Sequence, residues 1–141
     1  MSNLIRFGVS LDRELLERFD AYLSEKGYEN RSEGIRDLIR DILVKQEWEV
    51  SDDEKDRMAV VSIVYDHHES DLPTKLTELQ HEWHGVVHSA LHIHLDRHNC
   101  LEILVMRGPA RSILDLGNKL ISTRGVRHGK MILTTTGKNL P

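Results

Sequence analysis

The sequence predicts an α+β protein made of two units, a strand-helix-helix unit followed by a βαββαβ unit. Two observations support this class. The first 48 residues hold one alternating apolar segment and two amphipathic segments, whereas residues 58–141 alternate strand and helix patterns. Histidine marks the same division, because eight of the nine histidines lie between residues 67 and 98 and none lies in the first 66. We expect domains at 1–48 and 58–141, joined by a linker at 49–57.

The N-terminal unit begins with a strand and continues with two helices. Residues 5–11, "IRFGVSL", alternate apolar with polar or small side chains, which is the period of a strand with one apolar face. Apolar residues at helical spacing predict helices over 12–28 and 30–48. Asn30 and Glu33 have the spacing of a capping box at the start of the second helix.

This N-terminal unit is incomplete as a single copy. A lone strand leaves its backbone groups unpaired, and two short helices expose an apolar face that so small a unit cannot cover. Pairing of two strands would satisfy both needs, so we expect an obligate dimer. The charged segment that follows, "EVSDDEKDR" at 49–57, has no apolar period and is typical of a linker.

The C-terminal unit has the element order of the ferredoxin-like fold. Its patterns predict strands over 58–67, 86–95, 100–108 and 130–136, and helices over 72–84 and 110–122. The resulting order β-α-β-β-α-β is that of the split βαβ motif.

Histidine and cysteine are concentrated in "ALHIHLDRHNC", residues 90–100. Because side chains alternate along a strand, His92 and His94 share one face. The turn that follows returns the chain, so Cys100 can approach the same face. Imidazoles with one thiolate suit zinc, copper or nickel, and spacing alone does not choose among their geometries. We therefore predict a metal site here, with a half-buried strand that happens to carry histidine as the competing interpretation.

Two nearby features could complete such a site. His81 and His84 lie one helical turn apart in "QHEWH" and are candidates for a fourth ligand. Their spacing differs from the H-E-x-x-H pair of zinc proteases, which disfavours a helix-borne hydrolase site. Glu102, two residues beyond Cys100 on the same strand face, is a candidate to orient a ligand by hydrogen bonding, although an exposed cross-strand role is equally open.

Composition limits the possible classes of protein. The chain has no apolar run long enough to span a membrane and no signal-peptide pattern at its start, so we expect a soluble, cytoplasmic protein. The single cysteine excludes an internal disulfide. A net charge of −4 gives no global sign of nucleic-acid binding, and residues 1–48 hold eight Lys or Arg against ten Asp or Glu.

Five segments together resemble the nickel-responsive transcriptional regulators, the NikR family. They are "GYENRSEGIRDLIRD", "VYDHHESDL", "LQHEWH", "LHIHLDRHNCLEILVMRG" and "RGVRHGKM". The resemblance implies a ribbon-helix-helix DNA-binding domain, an ACT-like C-terminal domain and a homotetramer that is a dimer of dimers. It also implies square-planar Ni(II) bound by His92, His94 and Cys100 of one subunit and His81 of another.

The resemblance also assigns expected DNA contacts. In a ribbon-helix-helix dimer, two antiparallel strands enter the major groove with their outward side chains at the base edges. Here that outward set is Arg6, Gly8 and Ser10, and Gly8 departs from the Thr or Ser expected at its position. Arg31 and Ser32, at the start of the second helix, are expected to contact a phosphate.

A second cation site is implied by the same resemblance. Glu33 and Asp37 lie four residues apart on one helix face, a like-charge spacing that is unfavourable alone. The family pattern suggests that they bind potassium at the domain interface when the protein is on DNA. Pairing with Arg36 and Arg40 as a solvated face is an equally good interpretation.

The expected function is that of a nickel-dependent repressor of nickel-uptake genes, with nickel as corepressor and palindromic double-stranded operator DNA as partner. A metal-dependent enzyme, a metal buffer and an ACT-type sensor of an organic effector are the alternatives. Weaker metal sites at His84, His88, His98 and His128 also remain open.

Overall fold

The computed structural model describes residues 3–50, 55–69 and 71–141. Its elements are α1 (Arg13–Glu25), α2 (Arg31–Glu49), β1 (Arg57–Asp66), α3 (Leu72–Glu82), β2 (Val87–His94), β3 (Asn99–Gly108), α4 (Ala110–Ser122) and β4 (Val126–Thr134). The chain divides into two compact units between Ile42 and Leu43, which lie inside α2. None of the helices in these described residues is long and apolar enough to cross a membrane.

The two helices of the N-terminal unit end and begin at the residues that the sequence indicates. Gly27 has φ of 81°, and the N–H of Tyr28 donates to the Leu23 carbonyl at 2.9 Å, which closes α1 in a Schellman motif. The side chain of Asn30 accepts a hydrogen bond of 3.0 Å from the N–H of Glu33 and so caps α2. The Asn30 side of the predicted capping box is therefore confirmed.

The strand predicted over residues 5–11 is not formed in the single chain. Residues 3–11 have no regular secondary structure and pair with no strand of the described chain. Their apolar side chains are exposed to solvent, Ile5 by 85%, Phe7 by 67% and Val9 by 64%. The physical reason is that a strand needs a hydrogen-bonding neighbour, and one copy of this sequence supplies none at its N-terminus.

The segment predicted as a linker is framed by regular elements. Helix α2 continues to Glu49, and β1 already begins at Arg57. Residues 51–54 of the predicted linker lie outside the described residues.

The end of α2 is attached to the C-terminal unit by two hydrogen bonds. Trp48 Nε1 donates to the Thr134 carbonyl at 2.9 Å, at the end of β4. Arg57, which is only 3% exposed, donates to the Glu47 carbonyl at 2.7 Å and so places a positive charge at the C-terminus of the helix. The last residues of α2 therefore belong structurally to the C-terminal unit.

The C-terminal unit contains a four-stranded antiparallel sheet in the order β2-β3-β1-β4. This order and the intervening helices confirm the predicted ferredoxin-like arrangement. Helix α4 has the predicted bounds. Strand β4 does not, because it spans Val126–Thr134 and not 130–136. After Val126, residues 127–130 are polar or glycine and lack the apolar alternation of a strand, yet the start of β4 pairs with β1 across a bulge at Val64/Tyr65.

The two faces of this sheet have different environments. Alternate residues of β1 and β3 are buried on the face that α4 and α3 cover, where the core includes Ile63, Leu104 and Leu116, each fully buried. The opposite face carries exposed apolar side chains, including Leu91 at 55% and Ile132 at 58%. No helix of the described C-terminal unit covers this second face.

Candidate metal centre

The histidine and cysteine residues meet where β2, β3 and β1 lie side by side. In the antiparallel register, His94 is opposite Cys100 and His92 is opposite Glu102. On its other side, Cys100 is opposite Tyr65 of β1. Because opposite residues in a ladder point to the same face, all of these side chains share the face that the helices cover.

Three donor atoms form a compact cluster around the thiol. Cys100 Sγ lies 3.0 Å from His67 Nδ1 and 3.5 Å from His94 Nδ1. Donor atoms of these three residues lie within 4.8 Å of one another. We call His67, His94 and Cys100 the single-chain triad. Two imidazoles and one thiolate are a suitable donor set for a borderline divalent ion such as nickel or zinc.

His67 was missing from the predicted set. It follows β1 directly, and β1 pairs with β3, so the end of β1 lies beside the start of β3 where Cys100 is found. The backbone N–H of His67 donates to the His98 carbonyl at 3.1 Å, which ties the two connecting segments together. In the sequence, His67 stands at the end of a predicted strand. This position indicates a ligand only when β1 is known to pair with β3.

His92 shares the face of the cluster but makes other contacts. Its Nδ1 lies 3.4 Å from the Tyr65 hydroxyl and 4.0 Å from Glu102 Oε2. Its ring centroid is 5.1 Å from that of His94. His92 therefore stands next to the single-chain triad without being one of its three clustered donors.

His81 is not part of the cluster in its own chain. It lies near the end of α3 and is exposed. Its carbonyl lies 3.3 Å from His84 Nδ1. Of the predicted ligands, the single chain thus brings His94 and Cys100 together, places His92 beside them and leaves His81 outside.

The surroundings of Cys100 favour a cation. The side chain is fully buried. Burial, followed by the negative charges of Asp66, Glu102 and Asp96, raises the pKa of the thiol above its usual value. The same carboxylates that discourage a lone thiolate would stabilise a divalent ion bound to it.

Glu102 is held in a buried hydrogen-bond network. It is 7% exposed and accepts hydrogen bonds of 2.8 Å each from the Tyr65 hydroxyl and from Gln80 Nε2. Burial, and then the hydrogen bond to Glu102, raise the pKa of Tyr65 well above its usual value, so this hydroxyl keeps its proton. Glu102 therefore lies beside His92 as a fixed acceptor, linked to α3 through Gln80.

The turn between β2 and β3 is closed by Asp96. Its carboxylate accepts hydrogen bonds of 2.8 Å from the backbone N–H groups of His98 and Asn99, and one of 2.9 Å from the Asn99 side chain. These bonds, the Asn99 side chain first, lower the pKa of Asp96 to about 2. The turn thus fixes Cys100, the next residue along, opposite His94.

The predicted DNA-contacting residues all lie in the N-terminal unit. Arg6, Gly8 and Ser10 are exposed in the segment before α1. Arg31 is held by Asp20 through two hydrogen bonds of 2.8 Å each. Ser32, beside it, is exposed in the first turn of α2.

In the predicted second cation pair, the Asp37 carboxylate is engaged in other contacts. The carboxylate of Asp37 accepts hydrogen bonds from the Tyr28 hydroxyl at 2.9 Å and from Arg40 at 3.2 Å. The backbone N–H of Glu33 is used by the cap of α2. Asp37 is thus partly satisfied within its own chain.

Four further histidines, His84, His88, His98 and His128, are not members of the single-chain triad. His98 Nδ1 is 3.9 Å from Asp66 Oδ2. His128 lies in β4 opposite Val64. His84 is exposed in the connection between α3 and β2, and His88 is exposed as the second residue of β2.

Comparison with known proteins identifies the chain. Residues 58–134 match the family described as the NikR C terminal nickel binding domain. Over 140 residues, which are 99% of both chains, the protein is 56% identical to a nickel-responsive regulator of Nitratidesulfovibrio vulgaris. It is 57% identical, with the same coverage, to those of Solidesulfovibrio magneticus and Geobacter sulfurreducens.

A solved structure supports the fold alone. An uncharacterized protein from Thermotoga maritima matches with a TM-score of 0.51 and 21% identity, over 57% of this chain and all of that one. The family and full-length matches go further, and they indicate transcriptional regulation and nickel binding, and not enzymatic activity. The protein therefore belongs to the NikR family of nickel-responsive transcriptional regulators.

Proposed function

We propose that this protein is a DNA-binding repressor for which nickel is the corepressor. The observation that supports this most strongly is the meeting of Cys100 with histidines at the β2–β3 hairpin, in a chain whose full-length relatives are named nickel-responsive regulators. The proposed domains are 1–48 for DNA binding and 58–141 for metal binding and assembly, with 49–57 as the connection.

The proposed nickel ligands come from two subunits. His92, His94 and Cys100 would be supplied by one chain and His81 by a second. In support of this, His92 and His94 lie on the face of Cys100, while His81 is exposed and outside the cluster of its own chain. Four protein donors in a plane suit Ni(II), whereas a tetrahedral arrangement suits zinc. Bound nickel would supply a fixed link between subunits.

Glu102 is proposed to support this site by contacting a metal ligand, His92, without binding the metal itself. It accepts hydrogen bonds from Tyr65 and Gln80, and it lies 4.0 Å from His92 Nδ1. Gln80 is the neighbour of His81 on α3. The network would therefore orient His92 and keep the end of α3 in position for a contact with the second subunit.

A homotetramer built as a dimer of dimers is the proposed assembly. The uncovered face of the sheet exposes Leu91 by 55% and Ile132 by 58%, and the N-terminal segment exposes Ile5 by 85%. These are two separate apolar surfaces on two separate units. Apolar surfaces of this kind mark interfaces between protein chains. One would join the metal-binding domains and the other would pair the N-terminal strands.

Paired N-terminal strands are the proposed DNA-reading element. Arg6, Gly8 and Ser10 would face the base edges in the major groove, and Arg6 could discriminate a guanine by about 1–3 kcal/mol. Arg31 and Ser32 would contact phosphate, with the guanidinium of Arg31 held in place by Asp20. Because residues 1–48 carry more acidic than basic side chains, high affinity would need two half-sites bound together.

Nickel would act by favouring one arrangement of the tetramer. A ligand shifts an equilibrium only by its differential affinity for the two states. Nickel shared between subunits binds the state in which His81 of one chain reaches Cys100 of another, and that state would match a palindromic operator. The proposed targets are nickel-uptake genes, and the proposed location of the protein is the cytoplasm. Potassium bound at Glu33 and Asp37 is proposed as a further ligand of the DNA-bound form.

The test is a selection of DNA by the protein with and without nickel. Nickel-loaded protein and protein in chelator are each incubated with a random-sequence duplex library, and bound DNA is sequenced. We expect inverted repeats to be enriched only with nickel. Cys100→Ala should abolish the enrichment, whereas the exposed His88→Ala should retain it. Nickel binding without any enrichment of DNA would contradict the repressor function and favour a metal buffer.

A further inference from the structure

We infer that the single-chain triad of His67, His94 and Cys100 is a second coordination set, which holds zinc within one subunit and makes His67 a determinant of metal selectivity. This inference rests on the proposed nickel set of His92, His94, Cys100 and His81 of a second subunit. The two sets share His94 and Cys100, so one ion excludes the other.

The fold fixes the backbone of His67 beside the start of β3, where Cys100 lies. The His67 backbone N–H is bonded to the His98 carbonyl at 3.1 Å. Its ring lies 4.1 Å from that of His68 and 5.1 Å from that of His94, centroid to centroid. Its Nδ1 is the nearest imidazole nitrogen to the Cys100 sulfur, at 3.0 Å, with His94 Nδ1 at 3.5 Å. His67 is therefore placed to bind before any second chain contributes.

The donor count of the triad favours a tetrahedral ion. Three protein donors leave one position for water, which is the arrangement of open zinc sites. Zinc bonds of about 2.3 Å to sulfur and about 2.0 Å to nitrogen, at a tetrahedral angle, put these donors about 3.5 Å apart. Cys100 Sγ lies 3.5 Å from His94 Nδ1 and 3.0 Å from His67 Nδ1, so His94 already has this separation and His67 would have to shift by about 0.5 Å. Nickel in a plane would instead require a fourth protein donor.

His92 and His67 lie on different sides of the shared donors. His92 Nδ1 lies near Tyr65 and Glu102 at 3.4 and 4.0 Å, while His67 follows β1 on the far side of Cys100 from β2. An ion that uses His67 has no need of His92 or of a second subunit. Zinc in the single-chain triad would therefore leave the subunits unlinked and would not favour the DNA-binding arrangement.

The experiment measures the affinities of both metals in matched variants. Nickel and zinc dissociation constants are determined for the full chain and for His67→Ala, His68→Ala and His92→Ala. Cobalt(II) absorption reports whether coordination is tetrahedral. His68 is the control, because its Nε2 contacts the Arg97 carbonyl at 3.0 Å and not the thiol. Circular dichroism checks that each variant is folded. If His67→Ala is not folded, His67→Gln is measured in its place.

The expected result is a change in selectivity. His67→Ala should weaken zinc binding by at least about 10- to 100-fold more than nickel binding, and should remove the tetrahedral cobalt spectrum, since loss even of a supporting group costs this much. His92→Ala should instead weaken nickel binding more than zinc binding. Equal losses of both metals in His67→Ala, or an unchanged zinc constant, would overturn the inference. Nickel-dependent DNA selection by the unmodified chain tests the repressor function separately.

Discussion

His94 lies opposite Cys100 across the β2–β3 ladder, and its Nδ1 is 3.5 Å from the cysteine sulfur. This pairing places an imidazole and a thiol on one face at the point where the turn returns the chain. Antiparallel register is set by backbone hydrogen bonds over the whole hairpin, so the two donors are positioned before a metal arrives.

Replacing Cys100 by alanine should abolish tight nickel binding. Cys100 is the one cysteine of the sequence and so its only thiolate donor, and its loss should cost more than the roughly 10- to 100-fold that follows loss of a supporting hydrogen bond. Nickel titration followed by sulfur-to-nickel charge-transfer absorption measures this. His88→Ala is the control, and near-normal nickel affinity in Cys100→Ala would contradict the assignment.

Replacing Glu102 by glutamine should destabilise the fold and weaken nickel binding. The carboxylate of Glu102 has two acceptor oxygens, one for Tyr65 and one for Gln80, whereas glutamine has only one. One of these two donors would therefore lose its acceptor. The unsatisfied buried group should lower the free energy of unfolding by about 1–3 kcal/mol. Urea denaturation of the metal-free protein measures the first effect, and nickel titration the second.

An unchanged unfolding free energy in Glu102→Gln would mean that the network contributes nothing to stability. The matched control is Glu78→Gln, because Glu78 is exposed on α3, the helix that carries Gln80.

The Asp20–Arg31 pair should make the N-terminal unit sensitive to acid. The hydrogen bonds from Arg31 hold the pKa of Asp20 below its usual value of 3.8. A carboxyl with a depressed folded pKa stabilises the fold above its unfolded pKa, and this contribution is lost as pH falls through the folded value. Asp20→Asn should therefore be less stable than the unmodified protein at pH 7, and the difference should shrink as the pH falls below 3.8 and through the lower folded pKa of Asp20.

Thermal unfolding of the two proteins across this pH range measures the difference. Glu17→Gln, an exposed change on the same helix, serves as control. A constant difference at all pH values would show that the carboxylate charge is not what stabilises the pair.

Trp48 should contribute to the attachment of α2 to the sheet. Trp48→Phe keeps most of the ring but removes the hydrogen bond to the Thr134 carbonyl. The expected loss is about 1 kcal/mol in the unfolding of the C-terminal unit. Denaturant unfolding monitored through the remaining Trp83 measures it, with Tyr22→Phe in the other unit as control. An equal effect of the two substitutions would show that the bond is not specific to this attachment.

Local patterns predicted the fold where a single chain supplies the partners. Helix α4 has its predicted bounds because Ala110, Ile113, Leu116 and Leu120 form one buried stripe. The element order β-α-β-β-α-β predicted the ferredoxin-like arrangement of the C-terminal unit. The N-terminal strand could not form in one copy, because the apolar pattern of Ile5, Phe7 and Val9 specifies a face but not the neighbour that completes it.

The candidate site was predictable only in part, for a related reason. His92, His94 and Cys100 lie on adjacent strands of one hairpin, so alternation and the turn were enough to bring them together. His67 lies directly after β1, 33 residues before Cys100. Its place in the cluster depends on β1 pairing with β3, which no local pattern in either segment specifies.

The most direct measurement is complementation between two defective chains. His81→Ala and Cys100→Ala proteins are each prepared without metal, mixed, dissociated in mild denaturant and reassembled, and nickel absorption and DNA selection are then recorded. Each variant alone should fail in both. If nickel is bound between subunits, mixed tetramers regain complete sites from Cys100 of one chain and His81 of the other, and both signals return. Signals that stay absent in the mixture, or that persist in His81→Ala alone, would contradict a nickel site shared between subunits.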